Sequence, residues 1–358
     1  MKGDRAARRG EACRSDGKRR RLTTPAHALT QTPLYPLRFE PIYQYRLWGG
    51  RRLADLFAVR LPGDGPIGEA WILSDRPDHA SQVANGSLKG RTIGELLEAF
   101  PIQLLGGLAP RSRRFPLLMK FLDAREMLSI QVHPPDTRAD LLPAGETGKT
   151  EAWVVLEAGP ESRIYAGLRP GTSTDDLRQA VTSGVVADHV ASFAPRRGDG
   201  VFLPAGTVHT LGGDIVVFEV QQNSDVTFRL DDWGRVDAKT GQPRTLQVDQ
   251  ALSSIDFAQG VIAPCTPVVE ATSPVERERL FDCDYFRLWR LHGQSSIAVG
   301  AAGAPRVLVC LEGTGRLEHG GQTHATARGD VMLLPAAVGV CAFRPSGAVT
   351  LLEVALPE

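Results

Sequence analysis

Four side chains spread along this chain, Gln131, His133, Glu151 and His209, are of the types that hold a divalent cation. Gln131 and His133 stand two apart in Ser129-Ile130-Gln131-Val132-His133-Pro134. On an extended strand that spacing puts both on one face and Ile130 and Val132 on the other. Glu151 follows Gly148-Lys149-Thr150 and opens the apolar run Ala152-Trp153-Val154-Val155-Leu156. His209 follows Pro204-Ala205-Gly206, a turn from which the chain re-enters a strand at Val208. Two imidazoles, a carboxylate and an amide oxygen, with no thiolate, form a borderline-hard donor set. It suits Zn²⁺ first, with Fe²⁺, Mn²⁺ or Co²⁺ as alternatives. Taken singly, either histidine reads as an ordinary core or surface residue, and a lone glutamine competes poorly with water. Arg229 adds a guanidinium that could serve this site or simply pair with Asp231 or Asp232.

These residues need short strands to hold them. Beta-like runs at Tyr43 to Trp48, Ala70 to Ser74 and Ala80 to Val83 are punctuated by Gly, Pro and Asp. Helical segments are expected over about 92–123, where Thr92 and Glu95 form a capping pattern, and over about 172–193, capped at Ser173 or Thr174. An internal repeat then emerges. Arg197-Gly198-Asp199 leading to Leu203-Pro204-Ala205 returns 131 residues later as Arg328-Gly329-Asp330 leading to Leu334-Pro335-Ala336. Val155-Leu156-Glu157 resembles Cys310-Leu311-Glu312 at an offset of 155. The chain therefore reads as two copies of one small β unit, the first interrupted by helices. At these offsets His209 falls on Val340, Glu151 on Arg306, and Gln131 and His133 on Phe286 and Leu288, so the second copy lacks every candidate ligand. His319 and His324, beside Gly320 and Gly321, read as loop residues.

Composition bounds the class. The 358 residues carry no net charge, but residues 1–21 hold nine Lys or Arg against three acids. The body is correspondingly acidic, which gives no reason to expect nucleic acid as a partner. Residues 1–35 read as a disordered basic extension, 36–260 as the catalytic unit and 261–358 as a metal-free unit. No apolar run suits a membrane span and no secretory signal is evident. The five cysteines lack tight spacing and read as reduced thiols, so a cytoplasmic monomer or weak homo-oligomer is expected.

The Gly198…Pro204-x-Gly206-x-x-His209 spacing matches the second motif of the cupins. Lys120-Phe121-Leu122-Asp123-Ala124, Leu128 to Pro134, Gly148-Lys149-Thr150-Glu151 and Asn223-Ser224-Asp225…Arg229 together resemble the class I mannose-6-phosphate isomerases of the shorter bacterial kind. Trp48-Gly49-Gly50 and Ile67-Gly68-Glu69-Ala70-Trp71 extend the likeness, which covers roughly residues 38–356; Ala70 departs from it, where the family often has Ser. The resemblance implies a mainly β fold of two jelly-roll-like barrels with a helical section. It implies one Zn²⁺ held by Gln131, His133, Glu151 and His209, and a catalytic Arg229. It also implies interconversion of mannose 6-phosphate and fructose 6-phosphate through an enediolate. Lys149 could then transfer a proton, its pKa depressed by nearby positive charge, or bind the phosphate as a point charge. Lys120 and Ser129 are further phosphate candidates, although Lys120 could merely cap a helix end. Two other readings fit the same scaffold: a non-haem iron dioxygenase and a non-catalytic sugar-phosphate sensor.

Overall fold

Alternating and continuous apolar runs build most of the chain into antiparallel sheet. The structure, a computed structural model, describes residues 33–356; the expected basic extension lies outside the described residues except for its last three positions. Pro33 is exposed, but the next two are packed. Leu34 is buried, and the Tyr35 hydroxyl donates to Asn85 O at 2.9 Å while accepting from Leu88 N at 2.8 Å.

Four sheets carry the fold. Sheet I runs from edge to edge as Ile42–Gly50, Ile67–Leu73, Leu117–Ala124, Ile215–Gln222, Glu151–Ala158 and Gly200–Leu203. Sheet II runs as Phe228–Asp231, Ile130–Val132, His209–Leu211, Ile164–Leu168 and Val190–Phe193. Trp48, Leu122, Trp153 and Val155 of sheet I share one core with Ile164, Ala166 and Leu211 of sheet II. Sheet III repeats the order of sheet I with Val268–Ala271, Val275–Asp282, Arg287–Gly293, Val349–Ala355, Arg306–Glu312 and Val331–Leu334. Sheet IV holds Ile297–Val299, Cys341–Pro345, Thr314–His319 and Gln322–Ala327. Sheets III and IV enclose a second core around Trp289, Leu308, Leu317, Phe343 and Leu351. The mainly β architecture is as expected; each half packs two open sheets face to face, and no closed barrel is found among the described residues.

The helices are shorter than the sequence suggests. Thr92 caps Ile93–Ala99 reciprocally with Glu95, and Pro101–Leu105 follows at once. Leu117–Ala124 is a strand in the middle of sheet I, not the end of a helix. Its run of apolar residues is buried on both faces, so it shows no strand-like alternation. Ser173 caps Thr174–Ser183, which stops at left-handed Gly184, and Val190–Phe193 is again a strand. No helix among the described residues is long and apolar enough to cross a membrane.

The repeat has a geometric counterpart. Gly198 and Gly329 both adopt φ of 87°, a region open to glycine because it has no Cβ. Gly198 N donates to Val155 O at 2.8 Å, as Gly329 N does to Cys310 O at 2.8 Å. Asp199 Oδ2 accepts from Arg196 N at 2.7 Å, and Asp330 Oδ2 from Ala327 N at 2.7 Å. One alignment is different from the sequence expectation. The strand equivalent to Ile130-Gln131-Val132 is Ile297-Ala298-Val299, so Gln131 matches Ala298 and His133 matches Gly300, not Phe286 and Leu288.

Candidate metal centre and substrate cavity

Ile130 and Val132 pack into the core beneath sheet II, which turns Gln131 and His133 to the opposite face. Gln131 pairs across the sheet with His209 on one side and Arg229 on the other. Glu151 begins the neighbouring strand of sheet I, in register with Leu203 and Gln221. His133, Glu151 and His209 are each about 1% exposed, and one donor atom from each lies within 4.8 Å of the others.

Local contacts fix which atoms face inward. His133 Nδ1 lies 2.8 Å from Val226 O and His209 Nδ1 lies 2.9 Å from Thr207 O. A carbonyl only accepts, so both Nδ1 atoms carry the proton and both Nε2 atoms present lone pairs, that of His133 facing Lys149 Nζ at 3.1 Å. These Nε2 atoms sit 3.5 and 3.3 Å from the Glu151 carboxylate oxygens. Lys149 Nζ approaches Glu151 Oε2 to 2.6 Å, yet neither oxygen receives a well-directed hydrogen bond. A buried carboxylate so under-satisfied, facing two imidazole lone pairs, fits a divalent cation. Gln131 presents Nε2 at 3.4 Å from His209 Nε2, while its Oε1 accepts from Ser129 Oγ at 3.1 Å. Rotating the amide end for end would bring its oxygen to the cluster.

Electrostatics keep the donors in ligand form. Burial, reinforced by the Lys149 charge, pushes the His133 imidazole down to about 3. Burial would raise Glu151, but Lys149 together with His133 and His209 holds the carboxyl well below its usual range. Burial likewise opposes the Lys149 charge, but Glu151 and Glu219 overcome it and raise that ammonium.

Gln131, Lys149, Ser129, Lys120 and Arg229 all reach the wall of one cavity of about 340 Å³. Among the described residues Arg229 forms no ion pair with Asp231 or Asp232, the alternative that the sequence left open. Asp232 is held by Arg235 and Arg244, each at 2.5 Å, and Asp231 accepts from Trp233 N. Arg229 Nε is buried without a partner, and burial together with Arg244 lowers its pKa. Lys120 caps no helix. It lies on Leu117–Ala124, 3.3 Å from Glu219 and 5.0 Å from the centre of the Trp71 ring.

Sequence reasoning missed several groups here. Glu219 sits behind Lys120 and Lys149, accepts from Trp153 Nε1 at 2.9 Å, and is raised by burial and by Glu151. Glu69, at the wall, takes both nitrogens of Arg46 at 3.0 Å. A signal existed: Glu69, Lys120 and Glu219 are each the lone charge in a fully buried strand segment, IGEAW, LLMKFL and VVFEV.

Comparison with known proteins agrees with this geometry. The family profile described as phosphomannose isomerase type I, catalytic domain, matches residues 37–151. The mannose-6-phosphate isomerase ManA of Bacillus subtilis is 35% identical over 307 residues, covering 85% of this chain and 94% of that protein. A mannose-6-phosphate isomerase of Streptococcus mutans is 35% identical over 302 residues, covering 84% and 92%. The crystal structure of a mannose 6-phosphate isomerase from Bacillus subtilis superposes with a TM-score of 0.82 at 30% identity, covering 90% of this chain and 99% of that one. Because the likeness takes in nearly the whole length of these relatives, the chain belongs to the type I mannose-6-phosphate isomerase family.

Proposed function

We propose that this isomerase interconverts mannose 6-phosphate and fructose 6-phosphate through an enediolate, with one Zn²⁺ held by Gln131, His133, Glu151 and His209. The observation that carries the reading is the His133–Glu151–His209 cluster, with its under-satisfied carboxylate, behind a cavity walled by Gln131, Lys149 and Arg229. Moving a proton between C1 and C2 of an open-chain sugar is slow because the carbon acid is weak and its anion must be stabilised. A bound Zn²⁺ would polarise the carbonyl and neighbouring hydroxyl oxygens.

The remaining work falls to the side chains. Arg229 supplies a cation at the wall, its Nε buried without a hydrogen-bond partner among the described residues, suited to the developing oxyanion. Lys149, at the cavity wall and 2.6 Å from Glu151, serves the reaction either by transferring a proton or by binding the substrate phosphate as a point charge. Lys120 and Ser129 line the same wall and are assigned to the phosphorylated substrate. Residues 36–260 form the catalytic unit and 261–358 the metal-free one. All four ligands come from one chain, so a monomer or weak homo-oligomer suffices, and a cytoplasmic setting suits the free thiols of Cys265, Cys283, Cys310 and Cys341. Membership of an isomerase family leaves no observation in favour of a dioxygenase or a sensor.

The test is a coupled assay that detects fructose 6-phosphate formed from mannose 6-phosphate, before and after chelation. Turnover should fall by at least about 10²-fold without metal and return with zinc. Full turnover by metal-free protein would overturn the zinc reading.

A further inference from the structure

The segment between Ile130–Val132 and Glu151–Ala158 has neither helix nor strand over residues 133–150, whereas its counterpart in the other half is only residues 300–305. A long irregular segment keeps one geometry only where other groups tie it down. Here His133 opens the segment, Glu151 follows it, and Lys149 stands beside Glu151, so a loose segment means a loose centre.

Asp136 is one of the ties. Its Oδ1 accepts from Gly148 N at 2.7 Å and its Oδ2 from Gln222 Nε2 at 3.0 Å. Gln222 Oε1 accepts in turn from Thr150 N at 2.8 Å, so the backbone is held on both sides of Lys149. Gly148 approaches so closely that a Cβ there would lie 2.5 Å from Asp136 N. The third donor to Asp136 comes from the opposite half of the molecule. Tyr285, in the turn between Val275–Asp282 and Arg287–Gly293, donates its hydroxyl to Oδ2 at 2.7 Å. Beside this turn, Phe281 and Phe286 pack on Phe202, whose neighbour Leu203 pairs with Glu151.

We infer that Tyr285 is a positioning residue for the isomerase site: through Asp136, the half without ligands fixes the segment that aims Lys149 and Glu151. The inference rests on the roles proposed above for those two residues. A carboxylate accepting from three donors has little freedom to rotate, and small misplacements of a reacting group are costly in rate.

Tyr285→Phe and Asp136→Asn in the full chain test it. The zinc-loaded enzymes are assayed for turnover, and the metal-free proteins for amide hydrogen exchange and Tm. For Tyr285→Phe, kcat should fall about 3- to 10-fold while KM for mannose 6-phosphate stays within about twofold and Tm is unchanged. Amides of residues 147–151 should exchange about fivefold faster while those of sheet III do not change. Asp136→Asn should lower kcat further, by about 30-fold. Wild-type kcat with wild-type exchange in Tyr285→Phe would overturn the inference, as would a lower Tm with kcat intact. Should Asp136→Asn fail to fold, Tyr285→Phe decides alone. If the wild-type protein itself does not isomerise the sugar, the proposed function falls, while the exchange comparison still decides whether Tyr285 orders the segment.

Discussion

The two halves of the molecule share a sheet order and a corner geometry but place opposite demands on their interiors. In the first half Gln131 faces His209 across sheet II; at the matching place in sheet IV, Ala298 faces Ala342. Glu151 opens its strand in register with Leu203, and Arg306 opens the equivalent strand in register with Leu334. Glu219 has an equivalent too, Glu353, buried at the same point of sheet III. Glu219 Oε1 is left without a hydrogen bond, whereas Glu353 accepts from Gly300 N at 2.7 Å and Arg277 at 3.2 Å. Trp289 fills the nearby space under Arg277. Sheet II also carries one strand that sheet IV lacks, Phe228–Asp231, and this is the strand that presents Arg229. The lesson is local: at this point of the sheet the first half leaves Glu151 and Glu219 oxygens short of hydrogen bonds beside the cavity, while the second satisfies Glu353 from within.

The contrast can be pressed experimentally. The largest effect is expected at the strand without a counterpart: Arg229→Lys should lower kcat about 10²-fold while bound metal, measured by atomic absorption, stays at the wild-type level. Loss of metal along with activity would mean that Arg229 supports the cluster and not the reaction. In the other half, Glu353→Gln should leave kcat at 25 °C unchanged but destabilise the fold by about 1–3 kcal/mol in urea unfolding, because an amide cannot serve both Gly300 N and Arg277. A stability unchanged by that substitution would show that the self-satisfied interior is no firmer than the active one.

The smallest effect concerns Glu69. Burial would raise its carboxyl, but Arg46 and then Lys120 hold it down at about 2, below its ordinary 4.5. A carboxyl depressed on folding adds stability that is complete above its unfolded pKa and is lost as pH falls through the folded one. Wild type should therefore lose roughly 1–2 kcal/mol more than Glu69→Gln between about pH 5 and about pH 3. Parallel acid profiles for the two proteins would remove Glu69 from the balance.

Much of the site was legible because strand alternation is a strict rule. The buried Ile130 and Val132 alone orient Gln131 and His133, and the turn at Gly206 precedes His209. Leu117–Ala124 was misread because a strand buried on both faces has lost the periodicity that separates it from a helix. The alignment of Gln131 with Phe286 failed for another reason. A single offset cannot cross residues 133–150, whose counterpart is much shorter. Glu69, Lys120 and Glu219 converge only when sheet I assembles, since strands distant in sequence are neighbours there. The tie from Tyr285 to Asp136 is longer still in sequence and leaves no local pattern.

The twin corners at Gly198 and Gly329 carry one more consequence. Their backbone torsion and amide bonding are the same in the half with the His133–Glu151–His209 cluster and the half without it, so this corner does not depend on those side chains. At the ligand positions only Ala298, Gly300, Arg306 and Ala342, with one shorter connection, separate the half without the cluster from the half with it, so the frame leaves its chemistry to a handful of side chains.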